Sequence, residues 1–146
     1  MTINVYNDVE TEAIGRSLAE RLAVNGIERA FIAMRGEMGV GKTVFTRGFA
    51  SYFGITGVKS PTYTIVNEYR SREGVRIFHF DLYRILDIDD LVSIGYDDYV
   101  SAKGYCIAEW SERAESELPD GTIYVTITRT PNNENERIIE ITGFDA

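Results

Sequence analysis

The segment Gly36-Glu37-Met38-Gly39-Val40-Gly41-Lys42-Thr43 fits the spacing G-x-x-x-x-G-K-[ST] without a mismatch. The chemistry such a segment performs is phosphate binding. Gly36, Gly39 and Gly41 let the backbone wrap tightly, so that the N–H groups of Met38, Gly39, Val40 and Gly41 point inward at phosphate oxygens. A helix opening at the end of the loop adds its positive dipole end to the same spot. Lys42 would then reach the β- and γ-phosphates, and the Thr43 hydroxyl would ligate a magnesium ion. In a chain of average composition the pattern arises by chance in roughly one sequence of this length in two hundred. The flanks described below lower that figure.

A phosphate loop needs a carboxylate nearby to hold the metal. Two apolar segments end in an acid, Ile77-Phe78-His79-Phe80-Asp81 and Tyr105-Cys106-Ile107-Ala108-Glu109. Ligands of open α/β sheets lie beyond the carboxyl ends of parallel strands, which makes Asp81 and Glu109 candidates. The alternative for each is a solvated acid at a strand end. On a strand, His79 and Asp81 share one face while Phe78 and Phe80 share the other. His79, the one histidine, is either a core residue satisfied by a hydrogen bond or a group that orients a carboxylate or water. Trp110 could stack near a nucleotide base or fill the core. Ser60, Thr62 and Thr64 resemble a segment that senses a γ-phosphate, or are ordinary turn and strand residues. No N-K-x-D guanine-reading motif occurs, so GTP specificity of the common sort is unsupported.

These residues require strands and helices in a particular order. A first helix is expected from Asn7 or Asp8, with Glu10 and Glu12 in its first turn, Ile14, Leu18 and Leu22 on one face, and Gly26 as its stop. Ala30 to Met34 reads as a short buried strand leading into the loop. A second helix follows, with Phe45, Phe49 and Phe53 spaced by four. Strand, loop, helix is the context the loop requires. Thr62 to Tyr69 and Val75 to Phe80 read as a hairpin across Ser71-Arg72-Glu73-Gly74. One helix is expected from about Asp87 to Val100 with Leu91 and Ile94 inward, then a strand at Tyr105 to Ala108 and a helix over Ser111 to Leu118. A last hairpin joins Thr122–Thr128 to Arg137–Thr142 across Pro131-Asn132-Asn133-Glu134-Asn135. Helices intermixed with two hairpins predict an α/β protein with a mixed central sheet.

Composition agrees with a globular chain. Its 146 residues are 44% apolar and 26% charged, which suits one domain spanning the sequence. A net charge of −8 argues against a broad nucleic-acid footprint and suits docking onto a more basic partner. No apolar run approaches a membrane span, and the N-terminus lacks the features of a signal peptide, so a cytoplasmic location is expected. Cys106, the one cysteine, excludes an internal disulfide and reads as a small hydrophobe rather than a reactive thiol.

Beyond the loop, the blocks Thr43-Val44-Phe45-Thr46-Arg47-Gly48, Ser60-Pro61-Thr62-Tyr63-Thr64, His79-Phe80-Asp81-Leu82-Tyr83-Arg84 and Glu109-Trp110 together closely resemble the TsaE family. This is the small bacterial ATPase of tRNA threonylcarbamoyladenosine synthesis. The resemblance runs over nearly the whole chain in the right order, and implies a P-loop NTPase-like three-layer sandwich. It implies ATP and Mg²⁺ as cofactors, hydrolysis that sustains turnover of the modification at adenosine 37, and TsaB and TsaD as partners, with tRNA met through the complex. It makes Lys42 and Thr43 the phosphate and magnesium contacts, Glu109 the second magnesium ligand, and Asp81 the acid needed for hydrolysis, through magnesium or the attacking water. It places Thr11 near the adenine or ribose and Trp110 beside the site. Glu37 and Val40 depart from the Asp and Ala common in the family, with little effect expected, since the loop works through its backbone. The C-terminal hairpin matches loosely and leaves Arg137 unassigned. Arg47 and Arg84 are candidates for charge neutralisation in cis, or are surface or structural arginines. A small-molecule kinase and a non-catalytic ATP sensor are the rival readings of the same loop.

Overall fold

The computed structural model describes residues 1–60, 65–83 and 85–144. Strand β1 (Thr2–Val5) precedes helix α1 (Asp8–Val24), whose N-cap Asn7 accepts from the Glu10 amide. Strand β2 (Arg29–Arg35) runs into the loop, and α2 (Lys42–Tyr52) opens directly behind it. Strands β3 (Val66–Arg70) and β4 (Arg76–Asp81) form the first expected hairpin. Helices α3 (Ile88–Ser93) and α4 (Tyr96–Ser101) then lead to β5 (Gly104–Glu109). A 3-10 helix (Ser111–Glu117) and the hairpin of β6 (Ile123–Thr130) and β7 (Asn133–Thr142) complete the chain.

Among the described residues seven strands form one sheet in the order β1-β7-β6-β2-β5-β4-β3. The pairs β6–β2, β2–β5 and β5–β4 are parallel, and both hairpins are antiparallel, so the sheet is mixed as expected. Its two faces are both covered. Ile32, Met34, Ile77, Tyr105 and Ile107 pack with Leu18 and Leu22 of α1 and Phe45 and Phe49 of α2. The alternate residues Phe31, Ala33, Phe78, Phe80, Cys106 and Ala108 pack with Leu91 of α3 and Tyr96 of α4. Three layers result, and every residue of β5 is buried, as a central parallel strand requires. Among the described residues no helix is long and apolar enough to cross a membrane.

Four local expectations change. The helix predicted over Asp87–Val100 is two short helices, because Gly95 adopts φ 78 and ends α3 in a left-handed turn. Leu91 faces inward as expected, and Ile94, half-buried, packs against the same core. The segment after Trp110 coils as a 3-10 helix, with Ala114 at φ −132 interrupting it. The last hairpin reaches further than its apolar pattern, through Thr130 and Asn133, with a register irregularity at Arg129 and Thr130. Backbone pairing there does not need apolar side chains, so the pattern missed it. Strand β1, absent from the sequence reading, pairs antiparallel with β7. Thr62, Thr64 and Arg84 lie outside the described residues.

Candidate functional site

Two features of β2 and α2 shape the loop between them. Gly36 has φ 148, and a Cβ there would fall 2.6 Å from the Ile127 carbonyl oxygen of β6. Only glycine fits that approach. Gly41 caps α2 with no side-chain hydrogen bond, so the first amides of the helix stay available to the loop interior. Val40 turns its side chain into the core, whereas Met38 is exposed. Both residues therefore offer the loop interior mainly their backbone.

Lys42 is 5% exposed, an unusual setting for an ammonium group. Its Nζ donates to the Gly36 carbonyl oxygen at 2.7 Å and lies 4.2 Å from the centroid of the Trp110 ring. Trp110 is the one non-glycine residue with positive φ among the described residues, at 59°. That left-handed turn ends β5 and swings the indole between Lys42 and Tyr83, whose ring centroid is 5.0 Å away. Trp110 thus covers the loop lysine while also packing against the core, as the core-filling alternative expected.

The acids arrive from the sheet. Alternation sends His79, Asp81 and Glu109 to the face that carries α1 and α2, because Ile77 and Ile107 of the same strands pack there. Asp81 and Glu109 are register partners at the ends of β4 and β5. The Thr43 hydroxyl is 3.4 Å from Glu109 Oε2 and 2.5 Å from Ser60 Oγ. Glu109, 6% exposed, is also 2.6 Å from His79 Nε2 through the same oxygen. Asp81 stays half-buried, and its Oδ1 accepts from the Tyr83 amide at 3.0 Å. His79 is therefore both a core residue and one bonded to a carboxylate.

A cleft of about 450 Å³ brings together Met38 to Val44, Ser60, Asp81, Glu109, Trp110 and Arg137. A second cleft of about 560 Å³ adjoins it and shares Asp8, Val40 and Arg137; Tyr6, Asn7 and Thr11 line it too. Thr11 is 3% exposed and donates to the Asn7 carbonyl oxygen at 3.3 Å. It lines the second cleft, and its methyl carbon lies 3.8 Å from where a Cβ on Gly41 would stand. The loop, Asp81, Glu109 and Trp110 thus line the first cleft and Thr11 the second, with Asp8, Val40 and Arg137 common to both. Arg47 is part of neither: its guanidinium pairs with Glu12 at 3.1 Å, tying α2 to α1.

Two arginines that sequence reasoning did not assign grip the loop from the last hairpin. Arg129 pairs with Glu37 at 2.9 Å and donates to the Met38 carbonyl oxygen at 3.3 Å. Arg137 donates from Nε to the Val40 carbonyl oxygen at 3.1 Å and lines both clefts. They are register partners across β6 and β7, a relation that shows only once the hairpin's register is known.

The donor set fits a small hard cation. Ligands about 2.1 Å from a magnesium ion in octahedral array stand about 3 Å from their cis neighbours. The Thr43 and Glu109 oxygens, 3.4 Å apart, already approach that spacing. The loop amides and Lys42 suit an anion. Cys106 takes no part, since burial pushes its thiol up to about 12.

Comparison with known proteins shows the family of the chain. A sequence model of the family described as "Threonylcarbamoyl adenosine biosynthesis protein TsaE" matches residues 5–139. A Haemophilus influenzae protein named tRNA threonylcarbamoyladenosine biosynthesis protein TsaE is 40% identical over 132 residues, covering 89% of this chain and 83% of that protein. The Bacillus subtilis protein of the same name is 36% identical over 132 residues, covering 89% and 78%. The crystal structure of Bacillus subtilis YdiB superposes with a TM-score of 0.74 at 31% identity, over 95% of this chain and 82% of that one.

Proposed function

The chain belongs to the TsaE family, and from that membership we propose that it is the ATP-binding and ATP-hydrolysing subunit of tRNA threonylcarbamoyladenosine synthesis. It works in the cytoplasm with TsaB and TsaD and meets tRNA through that complex. The observation that carries the reading is the convergence of the Thr43 hydroxyl and the Glu109 carboxylate, 3.4 Å apart, beneath a loop whose lysine is buried.

In this reading the triphosphate lies along Met38 to Thr43, with adenine and ribose toward Thr11. The loop amides and the start of α2 neutralise phosphate charge without having to reorganise. Lys42 exchanges its bond to the Gly36 carbonyl for the β- and γ-phosphate oxygens, and Trp110 keeps the ammonium directed and partly dry. Thr43 and Glu109 would hold a magnesium ion, which would supply charge neutralisation to the phosphates. Asp81, level with Glu109 on the next strand, orients the attacking water and accepts its hydrogen bond. The work is positioning and electrostatics, so the isolated chain is expected to hydrolyse slowly and its partners to accelerate it.

The test mixes the purified chain with TsaB and TsaD, then measures co-elution and phosphate release with each partner present and absent. Wild type is expected to co-elute and to release phosphate faster in the full mixture. Asp81→Asn should bind ATP within about threefold of wild type but lose at least about 100-fold in turnover. Turnover of tens per second by the free chain, indifferent to partners, would refute the reading. Binding and co-elution without turnover would point to an ATP sensor instead.

A further inference from the structure

We infer that His79 is a positioning residue for Glu109, carrying its proton on Nε2 and donating it to the carboxylate oxygen that faces Thr43. The inference deepens the proposed function and rests on its assignment of Glu109 to the cation.

Three observations carry it. His79 is fully buried on a face it shares with Ile77 and Ile107, where an apolar side chain would pack without desolvation cost. Its Nε2 lies 2.6 Å from Glu109 Oε2. Its Nδ1 is equally buried and has no hydrogen-bond partner among the described residues. The third observation decides where the proton sits. A proton on Nδ1 alone would leave a buried N–H with nothing to donate to, and would aim the bare Nε2 lone pair at a carboxylate oxygen. If Glu109 carried a proton and gave it to Nε2, the ring would again need its own proton on the orphaned Nδ1. Placing the proton on Nε2 leaves only an unused lone pair, the cheapest of the arrangements.

The consequence lies in Glu109. Its Oε2 is the oxygen 3.4 Å from Thr43 Oγ1. A glutamate side chain with free rotors would sample several orientations at the end of β5. The bond from the rigid ring removes that freedom, so the oxygen already faces the hydroxyl when a cation arrives. Partners that orient ligating groups typically change metal affinity by roughly 10- to 100-fold.

The chain has one histidine, so ¹⁵N-histidine labelling of the intact protein yields a single imidazole. Its ¹H–¹⁵N correlation, recorded without nucleotide, is expected to show Nε2 protonated, with that proton shifted downfield and slow to exchange. A bare Nε2 would overturn the inference. The second arm compares His79→Gln, whose amide N–H can replace the Nε2 donor, with His79→Leu, which has none. A fluorescent ribose-labelled ATP is titrated in EDTA and across Mg²⁺ concentrations. His79→Leu should need roughly tenfold more Mg²⁺ for the same strengthening, while its affinity in EDTA stays within about twofold of wild type. His79→Gln should stay within about threefold of wild type in both. Unchanged Mg²⁺ dependence in His79→Leu, or equal impairment of both variants, would overturn the positioning role. If wild-type binding itself ignores Mg²⁺, the assignment of Glu109 to the cation fails, and the imidazole spectrum still judges the hydrogen bond separately.

Discussion

Replacing Gly48 with alanine tests whether the contact between α1 and α2 sets the geometry of the loop. An ideal Cβ at Gly48 would stand 2.0 Å from the Glu12 carbonyl oxygen and 2.7 Å from its Cα. Both are backbone atoms of α1, so no side chain can swing away. Restoring ordinary contact at 3.4 Å requires the helices to part by about 1.4 Å on that side. Overpacking of this kind costs about 3 kcal/mol or more, and alanine returns about 1 kcal/mol of helix propensity. The net loss is about 2–3 kcal/mol, which lowers the melting temperature of a chain this size by roughly 5–10 °C. The same displacement separates Thr11 on α1 from the loop that begins α2, so ATP affinity should fall by about tenfold. Calorimetry and titration of labelled ATP measure the two effects, with Ser17→Ala on the exposed side of α1 as control, expected within about 0.5 kcal/mol of wild type. A Gly48→Ala protein that melts at or above wild type would refute the reasoning, because propensity alone predicts that result.

Three further outcomes follow from single contacts. Arg137→Ala removes the donor to the Val40 carbonyl and a cation from both clefts, so ATP affinity measured by calorimetric titration should drop by about tenfold with the melting temperature within about 3 °C; unchanged affinity would detach Arg137 from the site. Arg129→Ala breaks a largely exposed pair with Glu37, so its stability effect should stay under about 1 kcal/mol in urea titration, and a larger loss would show that the hairpin's grip supports the fold itself. Cys106 is held protonated up to about 12 against an ordinary 9.0, so the native state keeps a proton that the unfolded state releases. Its contribution should therefore decline between those pH values as pH rises, by at most about 1.4 kcal/mol per unit, and a thiol reagent at pH 8 should label it only after denaturant is added. Rapid labelling of the native chain would refute the burial.

The site was legible where chemistry and local pattern coincide. Gly36 to Thr43 declares itself through glycine spacing, and Asp81 and Glu109 stand out as acids closing apolar runs. The face of His79 follows from alternation, but its bond to Glu109 depends on β4 and β5 being neighbours in a given register. Arg137 was read at the start of the last strand, but its grip on the loop and that of Arg129 were not legible, because both depend on the register of β6 against β7. Strand β1 was hidden because it is four residues at the sheet edge with one buried side chain. The break at Gly95 was readable in principle as a helix-ending glycine, but the apolar spacing of Leu91 and Ile94 masked it. Trp110 was legible as a neighbour of the site and illegible in its backbone, since positive φ in a tryptophan has no sequence signal.

What the pattern could not supply is the alignment of strand ends, and the chemistry depends on it. Met34 of β2 pairs with Glu109 of β5, and Glu109 pairs with Asp81 of β4, so the three strands end level. Adjacent strands stand about 4.8 Å apart. The loop leaves from the first strand end, the proposed cation ligand from the second and the proposed water ligand from the third, in a row on one face. A one-residue slip of β5 would send Ala108 to that face and turn Glu109 toward Phe80 and Tyr96. The buried apolar residues on both sides of β5 forbid the slip, since every one of its six positions would exchange surroundings. The left-handed turn at Trp110 then stops the strand where the acid is level with its neighbours, and contact with Lys42 and Tyr83 offsets its backbone strain. Core packing thus fixes a distance between two oxygens that neither the loop nor the acid could fix alone.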